Sequence, residues 1–320
     1  MNVGAIVLAG GVGSRMRPLT DECPKPLLPL GAEPLIGYQL RRLAAVGVRR
    51  VVVSTGYLAE HFEQVLGDGS ARGLELRYCV EDEPLGTGGA LRAAIDQLPD
   101  SETVIALNGD LLSSHDLAGQ LSAAGPAQVC VHVRPVPDVA AYGRVVCDRD
   151  GRVTTFAEKS GTGPGLANAG TYVVDAGLLR ALPAGRSSWE RDVLPALLDR
   201  GVLVVAREAD GYFRDVGSPA AYRLASVDAV TGALPGTRGS TSYVAPGATV
   251  GAGAQLSGGS AAHDAVVVER DALVDASVLL AGARIGRGAR VTRCVVAPGA
   301  EVPAGDVRVD EIVTGVLTRQ

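Results

Sequence analysis

Lysine and asparagine are the scarcest polar residues of this chain. Its 320 residues include 28 arginines but only two lysines, Lys25 and Lys159, and three asparagines, Asn2, Asn108 and Asn168. Where arginine is the default cation, a lysine marks a position at which a compact ammonium suits a crowded anion better than a planar guanidinium. Apart from Asn2, these rare residues fall in short stretches, where we expect the functional site.

Cysteine and histidine form no metal-ligand pattern. The five cysteines are odd in number, scattered and without a CxxC pair, and the four histidines lie far apart in the sequence. Zinc sites use closely spaced ligands, so a zinc site is not expected. Unpaired cysteines used as small buried hydrophobes fit a reducing compartment and predict a cytoplasmic protein.

Long apolar runs and an excess of positive charge are also missing. No apolar run approaches the ~20 residues that span a bilayer, and the N-terminus shows neither the basic region nor the cleavage site of a signal peptide. The formal net charge is -5, which gives no reason to expect nucleic acid or an anionic membrane as a partner.

Residues 1–228 alternate short β-rich runs with helical patterns. The runs "VGAIVLAG", "RRVVVSTG" and "TVIALNGD" predict buried strands, whereas "PLIGYQLRRLAAVGV" and "GGALRAAIDQL" predict helices. This alternation predicts an α/β fold, with a Rossmann-like, mostly parallel sheet flanked by helices. Within it, a hairpin is expected to turn at Asp150-Gly151, and "SSWERDVLPALLDRG" predicts a helix whose Trp189 packs in the core or at an interface.

The C-terminal part has a six-residue period. After a Gly/Pro/Ser/Thr-rich linker over 229–242, residues 243–320 place aliphatic residues six apart between small residues and glycine, which predicts a parallel β-helix. The stretch "SAAHDAVVVERDA" looks irregular, so we expect a short, imperfect helix of a few coils that packs on the first domain or on another subunit. The aliphatic residues expected to point inward are Val244, Val250, Leu256, Leu279, Ile285, Val291 and, after a one-residue slip in the spacing, Val296 and Val302.

The stretch "LAGGVGSRMRPLT" has the chemistry of a phosphate-binding loop. A strand ends in a glycine-rich turn, and glycines let backbone N–H groups approach a phosphate closely. The spacing matches neither the GxGxxG nor the GK[ST] loop, which argues against a nicotinamide dehydrogenase. The turn instead delivers Arg15 and Arg17, with Lys25 further along the chain. Such a set of cations suits the triphosphate of a nucleotide.

Taken together, the motifs resemble the sugar-1-phosphate nucleotidylyltransferases, or NDP-sugar pyrophosphorylases. After "LAGGVGSRMRPLT…PKPLLPL" the sequence continues in the family's order with "EPLGTGGAL", "NGD", "YGRV", "FAEKS" with "NAGTYVV", and "FRDVGSPAAY". The resemblance implies a GT-A-type catalytic domain, a left-handed C-terminal β-helix and a homo-oligomer formed through that β-helix.

The resemblance also implies a magnesium-dependent reaction, in which a sugar 1-phosphate oxygen attacks the α-phosphorus of an NTP and pyrophosphate leaves. Asp110 and Asp215 match the two Mg²⁺-binding aspartates. Arg15 matches the residue that holds the β- and γ-phosphates, and Lys25 the residue at the α-phosphate; these four are the expected catalytic residues. The expected nucleotide-binding residues are Leu8, Ala9, Gly10, Gly11, Gly13, Ser14, Arg15, Lys25, Glu81, Gly86, Thr87 and Asp110.

On the sugar side, the resemblance assigns Lys159 to the phosphate of the sugar 1-phosphate. Glu158 and Asn168 are expected to bind ring hydroxyls, the backbone of Gly143 to lie beside them, and Thr171 to add a hydroxyl. Both lysines of the chain thus match phosphate-binding positions.

The base pocket favours guanine. The segment "EDEPLGTGGAL" places Glu81 and Glu83 before the glycine turn, and a carboxylate can accept two hydrogens at once from the N1–H and N2–H2 edge of guanine. The segment also looks most like that of the mannose and heptose 1-phosphate guanylyltransferases. Some uridylyltransferases for N-acetylmuramic acid 1-phosphate share the pattern, so a uridylyl- or thymidylyltransferase is the alternative. For the sugar, mannose, a heptose and a cyclitol phosphate all remain open.

Two further alternatives belong to other classes of protein. Hexapeptide β-helices often carry acyl transfer, which usually wants a histidine base, and His263 is the sole histidine of the repeat region. A non-catalytic regulatory subunit would show degraded phosphate or metal positions, but the expected cations and aspartates are all present. Both alternatives are therefore disfavoured.

Overall fold

The structure is a computed structural model that describes residues 2–158 and 161–315. These residues form two compact units, the first lying within Met1–Val12 and Gln39–Gly211 and the second within Gly13–Tyr38 and Tyr212–Gln320. No helix in this part of the chain is long and apolar enough to cross a membrane.

The elements are numbered in chain order. The strands up to residue 215 are β1 (Val3–Leu8), β2 (Pro29–Leu30), β3 (Glu33–Pro34), β4 (Arg50–Thr55), β5 (Glu75–Val80), β6 (Thr103–Asn108), β7 (Leu111–Ser113), β8 (Val129–Val136), β9 (Gly143–Cys147), β10 (Val153–Glu158), β11 (Gly165–Asp175), β12 (Val204–Glu208) and β13 (Phe213–Asp215). The helices are α1 (Leu35–Ala45), α2 (Glu60–Leu66), α3 (Gly86–Ile95), α4 (Leu117–Ala124), α5 (Ala176–Arg180), α6 (Leu194–Asp199) and α7 (Pro219–Thr231).

The first unit is built on one nine-stranded sheet. Its order is β10-β9-β11-β6-β1-β4-β5, and β8 pairs with both β11 and β12. Strands β6, β1, β4 and β5 run parallel to one another, whereas β11 is antiparallel to its neighbours β6, β8 and β9. The apolar runs of β1 and β4 are buried along nearly their whole length, as expected of parallel strands covered on both faces. The predicted mostly parallel α/β fold is confirmed.

Local patterns predicted several elements correctly. The expected strands and helices of the first half are β1, β4, β6, α1 and α3, and the expected hairpin is β9–β10, which pairs antiparallel around Asp150 and Gly151. The helix expected at Ser188 begins there, because the Ser188 side chain accepts a hydrogen bond from the Arg191 backbone N–H; its first turn is a π-helix that leads into α6. Trp189 is fully buried in the core, as predicted.

The second unit joins the arginine-bearing segment to α7. The short strands β2 and β3 form a hairpin, and the hydroxyl of Tyr222 on α7 donates a 2.7 Å hydrogen bond to the backbone oxygen of Pro29. Helix α7 begins with a Ser218 cap followed by Pro219, a favourable first residue because its missing N–H would be unpaired there in any case.

Parallel strands form the C-terminal coil of the second unit. They are β14 (Ser242–Val244), β15 (Thr249–Val250), β16 (Gln255–Ser257), β17 (Ser260–Ala262), β18 (Val267–Val268), β19 (Leu273–Asp275), β20 (Val278–Leu279), β21 (Arg284–Ile285), β22 (Arg290–Thr292), β23 (Val295–Val296), β24 (Glu301–Val302), β25 (Val307–Val309) and β26 (Ile312–Val313). They stack as three parallel sheets, β14-β17-β20-β23-β26, β15-β18-β21-β24 and β16-β19-β22-β25. This arrangement is consistent with the expected left-handed β-helix.

The expectation that the middle of the β-helix is irregular was wrong. Strands β17, β18 and β19 continue all three sheets without a break, and Ala262, Val268 and Val274 keep the six-residue spacing with buried side chains. The period was hidden because left-handed backbone conformations at this point are taken by Ala265 and Asp271 (φ 57 and 61) instead of glycine.

The burial of the aliphatic residues expected to point inward depends on their position in the stack. Leu279, Ile285, Val291, Val296 and Val302 are buried as predicted. Val244 and Val250 pair in register with the buried Ala262 and Val268 and so lie on the same inward face, but they are 43% and 38% exposed. They lie on β14 and β15, the first strands of their sheets, where only one neighbouring coil covers them. The domain limits at 1–228, 229–242 and 243–320 stay a prediction.

Candidate functional site

The carboxyl ends of four parallel strands meet at one edge of the sheet. Leu8 at the end of β1 pairs in register with Ser54 of β4 and with Asn108 of β6, and β5 ends next to β4 with Val80 opposite Thr55. Ligands of open parallel sheets bind outside the carboxyl ends of the strands. The residues that follow these strands therefore form the candidate nucleotide side of the site.

The glycine-rich loop starts directly from β1. The Ala9 backbone N–H donates a 2.8 Å hydrogen bond to the backbone oxygen of Ser54, which continues the pairing of β1 with β4. A Cβ added at Gly11 would meet no atom within 4 Å. Ser14 is exposed and begins a 3-10 turn, preceded by Gly13 in a left-handed conformation. The loop backbone is thus open where the expected phosphate contacts lie.

Glu81 is the best-positioned carboxylate on this edge. Its Oε1 accepts a 2.9 Å hydrogen bond from the Ser54 hydroxyl, and its Oε2 accepts one of 2.9 Å from the Leu85 backbone N–H. A Cβ added at Gly10 would come within 2.8 Å of Oε1, so any side chain at this position would require the Glu81 carboxylate to shift. The structure brings together two predicted nucleotide-binding residues, Glu81 and Gly10.

The glycine turn at the start of α3 packs against the segment before α6. Gly86 has a φ of +69°, and a Cβ there would lie 2.6 Å from the backbone oxygen of Ser187. The Thr87 hydroxyl accepts a 2.8 Å hydrogen bond from the Trp189 backbone N–H and donates one of 2.6 Å to Oε2 of Glu190. The side chain of Thr87 therefore serves this internal contact, which sequence reasoning did not anticipate.

Asp110 follows β6 at the same edge and is half-buried. The turn before it is tight, because the Gly109 backbone N–H donates a 2.8 Å hydrogen bond to the backbone oxygen of Leu8. Next to this turn Gly170 has a φ of +63°, and a Cβ there would lie 2.8 Å from Nδ2 of Asn108 and still closer to the Leu111 side chain. Strand β11 thus packs closely against the "NGD" turn.

A buried polar cluster supports the strand that follows Asp110. The Gln39 side-chain amide donates to the backbone oxygen of Leu111, and Arg42 donates to Oε1 of Gln39 and to the backbone oxygen of His115. His115 in turn contacts Oε1 of Gln120 at 3.0 Å, and burial lowers the pKa of Arg42 to about 10. Scattered polar residues of this kind carry no local motif, so the sequence gives no signal for the cluster.

The predicted sugar-binding residues Gly143, Glu158 and Asn168 lie together. Gly143 on β9 pairs with Glu158 on β10, and a Cβ added at Gly143 would lie 2.6 Å from Oε2 of Glu158 and 3.4 Å from Cβ of Asn168. Thr171 is only 2% exposed, and its backbone oxygen accepts a 3.1 Å hydrogen bond from Gln120. Lys159 lies outside the described residues.

A hydrogen-bonded chain leads from Asn168 into the core. Nδ2 of Asn168 donates a 2.7 Å hydrogen bond to the Tyr172 hydroxyl, which donates one of 3.1 Å to Oε1 of Glu190. Burial raises the pKa of Tyr172 well above its usual value. Glu190 belongs to none of the recognised motifs, and its carboxylate is the part of this region that sequence reasoning missed.

The second unit holds the other predicted catalytic residues. A Cβ added at Gly217 would lie 3.4 Å from Oδ1 of Asp215 and 3.5 Å from Nη2 of Arg15, so these two side chains approach the same glycine. Lys25 is 7% exposed, and a Cβ added at Gly13 would lie 3.2 Å from the Cβ of Lys25. Within this unit Arg15 and Asp215 thus lie near Gly217, and Lys25 lies near Gly13.

An ion-paired cluster anchors β13 beside Asp215. Arg214 and Asp228 form a salt bridge of 2.6 Å, and the Tyr212 hydroxyl donates a 2.7 Å hydrogen bond to the same carboxylate oxygen. Both charged side chains are mostly buried, at 25% and 17% exposure. The cluster ties the strand that carries Asp215 to α7.

The donor set fits magnesium better than a soft metal. Asp110 and Asp215 offer oxygen ligands, which magnesium prefers, and it is commonly held by one or two carboxylates together with substrate phosphates. Among the residues that the structure describes, no group of three or more His, Cys, Asp and Glu side chains is arranged to hold a metal without a substrate.

His263 is poorly placed for acyl transfer. It is 6% exposed inside the β-helix, and burial lowers its pKa to about 4. A general base needs access to its substrate, so this histidine offers no support for the acyltransferase alternative.

Comparison with known proteins agrees with the geometry. The model of the nucleotidyl transferase family matches residues 4–231, and that of the GlmU-like C-terminal hexapeptide family matches residues 235–310. A mannose-1-phosphate guanylyltransferase from Mycobacterium tuberculosis is 39% identical over 315 residues, covering 95% of this chain and 82% of that protein.

Two further similarities concern the first part of the chain. A D-glycero-alpha-D-manno-heptose 1-phosphate guanylyltransferase from Aneurinibacillus thermoaerophilus is 33% identical over 225 residues, 69% of this chain and 96% of that protein. The crystal structure of HddC from Yersinia pseudotuberculosis complexed with GMP-PN has a TM-score of 0.61 at 29% identity and covers 71% of this chain and 98% of that one. Because the family model spans well over half of the sequence and the mycobacterial relative aligns with nearly all of it, this chain belongs to the nucleotidyl transferase family.

Proposed function

We propose that this chain transfers the guanylyl group of GTP to mannose 1-phosphate or to a heptose 1-phosphate and releases pyrophosphate, with magnesium as its cofactor. Two relatives are named for these reactions, and a similar structure was determined with GMP-PN. The observation that carries the choice of guanine is the Glu81 carboxylate, held by Ser54 and Leu85 beside Gly10.

The geometry of Glu81 suits the guanine edge. Each carboxylate oxygen offers two lone pairs, and Ser54 and Leu85 each use one of them. The remaining acceptor positions match the N1–H and N2–H2 donors of guanine. Uracil and thymine instead present an N–H between two carbonyl oxygens, and those oxygens would be repelled by a carboxylate.

The proposed reaction needs no proton transfer. An oxygen of the sugar 1-phosphate, already an anion, forms a bond to the α-phosphorus of GTP. The bond from that phosphorus to the oxygen bridging the α- and β-phosphates breaks, and pyrophosphate leaves with the electron pair. Catalysis therefore consists of positioning and of neutralising the charge on the phosphates.

The cations of the second unit supply this neutralisation. Arg15 is exposed and long enough to follow the β- and γ-phosphates. Lys25 is nearly buried and places a compact charge at the α-phosphate. Bound by Asp110 and Asp215, Mg²⁺ would further offset the phosphate charge.

Glu158, Asn168 and the backbone of Gly143 form the proposed sugar pocket. Glu158 and Asn168 both lie against Gly143, and a carboxylate with an amide supplies both acceptors and a donor for ring hydroxyls. Lys159, next to Glu158 in the sequence, is proposed to bind the phosphate of the sugar. The prediction that Lys159→Ala raises the KM for the sugar phosphate far more than for GTP follows from this role.

The experiment that tests the proposal is a measurement of pyrophosphate release with magnesium. GTP, UTP, dTTP, ATP and CTP are crossed with the 1-phosphates of mannose, glucose, a heptose and N-acetylmuramic acid, and with a cyclitol phosphate. We expect release with GTP and either mannose 1-phosphate or the heptose 1-phosphate. Release with UTP or dTTP alone would contradict the choice of base, and silence with every pair would contradict the proposed reaction.

Assembly through the β-helix is proposed on separate grounds. Val307 and Val309 are 59% and 48% exposed on β25, the last strand of its sheet. Light scattering of the purified protein tests this, since a monomer at all concentrations would contradict it.

A further inference from the structure

A single hydrogen-bonded chain connects the proposed sugar pocket with the glycine turn of the nucleotide side. It runs from Asn168 through the Tyr172 hydroxyl to Oε1 of Glu190, and from Oε2 of Glu190 to the Thr87 hydroxyl. All of these residues belong to the first unit. Since Asn168 is a proposed sugar ligand and Thr87 lies in the "GTGG" turn, the chain joins the two sides of the pocket through side chains that touch neither substrate in the proposed binding scheme.

The carboxylate of Glu190 sets the direction of each hydrogen bond. A carboxylate only accepts, so Tyr172 and Thr87 both donate their hydroxyl protons to Glu190. The pKa of Tyr172 is raised well above its usual value by burial, so the hydroxyl keeps its proton at neutral pH. Having donated that proton to Glu190, the Tyr172 oxygen can only accept from its other neighbour, the Asn168 amide.

This direction determines how Asn168 faces the pocket. One amide proton of Nδ2 goes to Tyr172, and Oδ1 accepts a 3.1 Å hydrogen bond from the Gly170 backbone N–H. The second amide proton remains available as a donor, and both Asn168 and the Glu158 carboxylate lie against Gly143. The Asn168 amide thus presents a donor of fixed orientation to the proposed sugar pocket.

The other oxygen of Glu190 is held independently. Oε2 accepts from the Thr87 hydroxyl at 2.6 Å and from the Ser188 hydroxyl at 3.2 Å. Glutamate is therefore held at one end by two hydroxyls, and its other end is turned toward Tyr172. A glutamine at this position has only one oxygen. Because the Thr87 and Ser188 hydroxyls both donate to that side, the oxygen is expected to stay there.

We propose that Glu190 is a positioning residue of the sugar pocket, which holds the Asn168 amide in its sugar-binding orientation through the Tyr172 hydroxyl. The inference rests on the proposed function, because it takes Asn168 as a sugar ligand. In Glu190→Gln the side-chain NH2 group is expected to face Tyr172 and to donate to its oxygen, in competition with Asn168. The contact with Thr87 survives, so the nucleotide side is spared.

The first test observes Asn168 directly, without activity. Protein labelled with [15N]asparagine has three side-chain amides, because the chain has three asparagines, and Asn168→Asp identifies the signal of Asn168. We expect this signal to shift in Glu190→Gln and in Tyr172→Phe, which removes the hydroxyl and keeps the ring beside Trp189. Glu208→Gln, at an exposed carboxylate on β12, is the matched control and leaves the signal in place.

The second test separates positioning from a general loss of structure. Glu190→Gln should raise the KM for the sugar 1-phosphate about tenfold, the effect of one lost hydrogen bond, while the KM for GTP stays within about twofold. Because Glu190 acts through the Tyr172 hydroxyl, the double variant Glu190→Gln/Tyr172→Phe should have no higher KM for the sugar 1-phosphate than Tyr172→Phe alone.

An unmoved Asn168 signal in both variants would overturn the inference, and so would an equal rise of both KM values together with a lowered Tm. If the wild-type protein turns over no sugar 1-phosphate, the proposed function fails instead. The Asn168 signal then still decides whether Glu190 holds that amide.

Discussion

The Ser54 hydroxyl donates a 2.9 Å hydrogen bond to Oε1 of Glu81. Ser54 lies on β4, and Glu81 directly follows β5, the parallel strand next to β4. The sheet itself therefore brings the hydroxyl to the carboxylate. With Leu85 on the other oxygen, the carboxylate has a defined orientation before any base arrives. Binding groups that are held in advance lose less conformational entropy when the ligand binds.

Replacing Glu81 by glutamine should weaken the selection of guanine. The amide offers one acceptor oxygen where guanine needs two, so we expect kcat/KM with GTP to fall about 10- to 100-fold and the ratio of GTP to UTP turnover to fall with it. Ser54→Ala should lower GTP turnover less, because the Leu85 contact remains. Competition assays with both nucleotides measure the ratio; an unchanged ratio in Glu81→Gln would place the base reader elsewhere.

Replacing Lys25 by arginine should impair the chemical step although the charge is kept. Lys25 is nearly buried and close to Gly13, and the larger planar guanidinium does not fit the same space. Displacing the charge by about 1 Å costs about 100-fold in kcat, which single-turnover kinetics would detect. Arg149→Lys, in the exposed β9–β10 turn, is the control. Full activity of Lys25→Arg would contradict the role of a compact cation.

Removing the Asp110 carboxylate should abolish magnesium-dependent turnover while the fold is kept. We expect Asp110→Asn to lower kcat at least about 100-fold, since metal charge stabilisation is worth several kcal/mol, and to weaken Mg²⁺ binding in calorimetry with nucleotide present. The exposed Asp100→Asn serves as the control for loss of a negative charge. A variant with a normal circular dichroism spectrum, full turnover and unchanged Mg²⁺ affinity would refute the metal assignment.

Acid should destabilise the first unit through its two stacked histidines. The His115 and His132 rings lie 3.6 Å apart; burial lowers the pKa of His132 to about 4, and burial and the His132 ring lower that of His115 to about 2. Both values lie below the unfolded value of 6.5, so the unfolded chain takes up protons first as the pH falls. Stability is therefore full above pH 6.5 and is lost as the pH falls toward 4.

The loss from His132 alone should reach about 3 kcal/mol near pH 4. Calorimetric Tm values between pH 8 and pH 4 test this, together with His132→Phe, which keeps an aromatic ring against His115 but does not titrate. The Tm of the variant should fall less steeply than that of the wild type. Equal slopes for the two proteins would show that the acid sensitivity arises elsewhere.

Ala265→Gly should stabilise the β-helix. Ala265 is exposed with a φ of 57°, a conformation that costs an L-residue about 1–2 kcal/mol, and this exceeds the extra unfolded-state entropy of glycine. We expect a net gain of about 0.5–1 kcal/mol in the free energy of unfolding. Ala252→Gly changes an exposed β-helix alanine without a positive φ, and it should lower the free energy of unfolding by about the same amount. Denaturant titration compares the two, and a loss in both would disprove the strain at Ala265.

The strands and helices of the first unit were predictable because their signals are local. Three or more consecutive apolar residues in β1, β4 and β6 report burial on both faces, and the glycine turns follow strands as the motifs require. The middle of the β-helix was missed for an equally physical reason. Its corner positions carry Ala265, Asp271 and Ala276 with positive φ, so the glycine signal of the repeat is absent where the coil continues.

Residue order alone therefore determined the α/β architecture, the presence of a β-helix and the positions of the candidate ligands, since each depends on short patterns or on motif order. Tertiary structure decided which side chains hold those ligands in place. The contacts of Glu81 with Ser54, and of Glu190 with Tyr172 and Thr87, join residues far apart in the chain. Such pairs arise from strand register and helix packing, which no local pattern records.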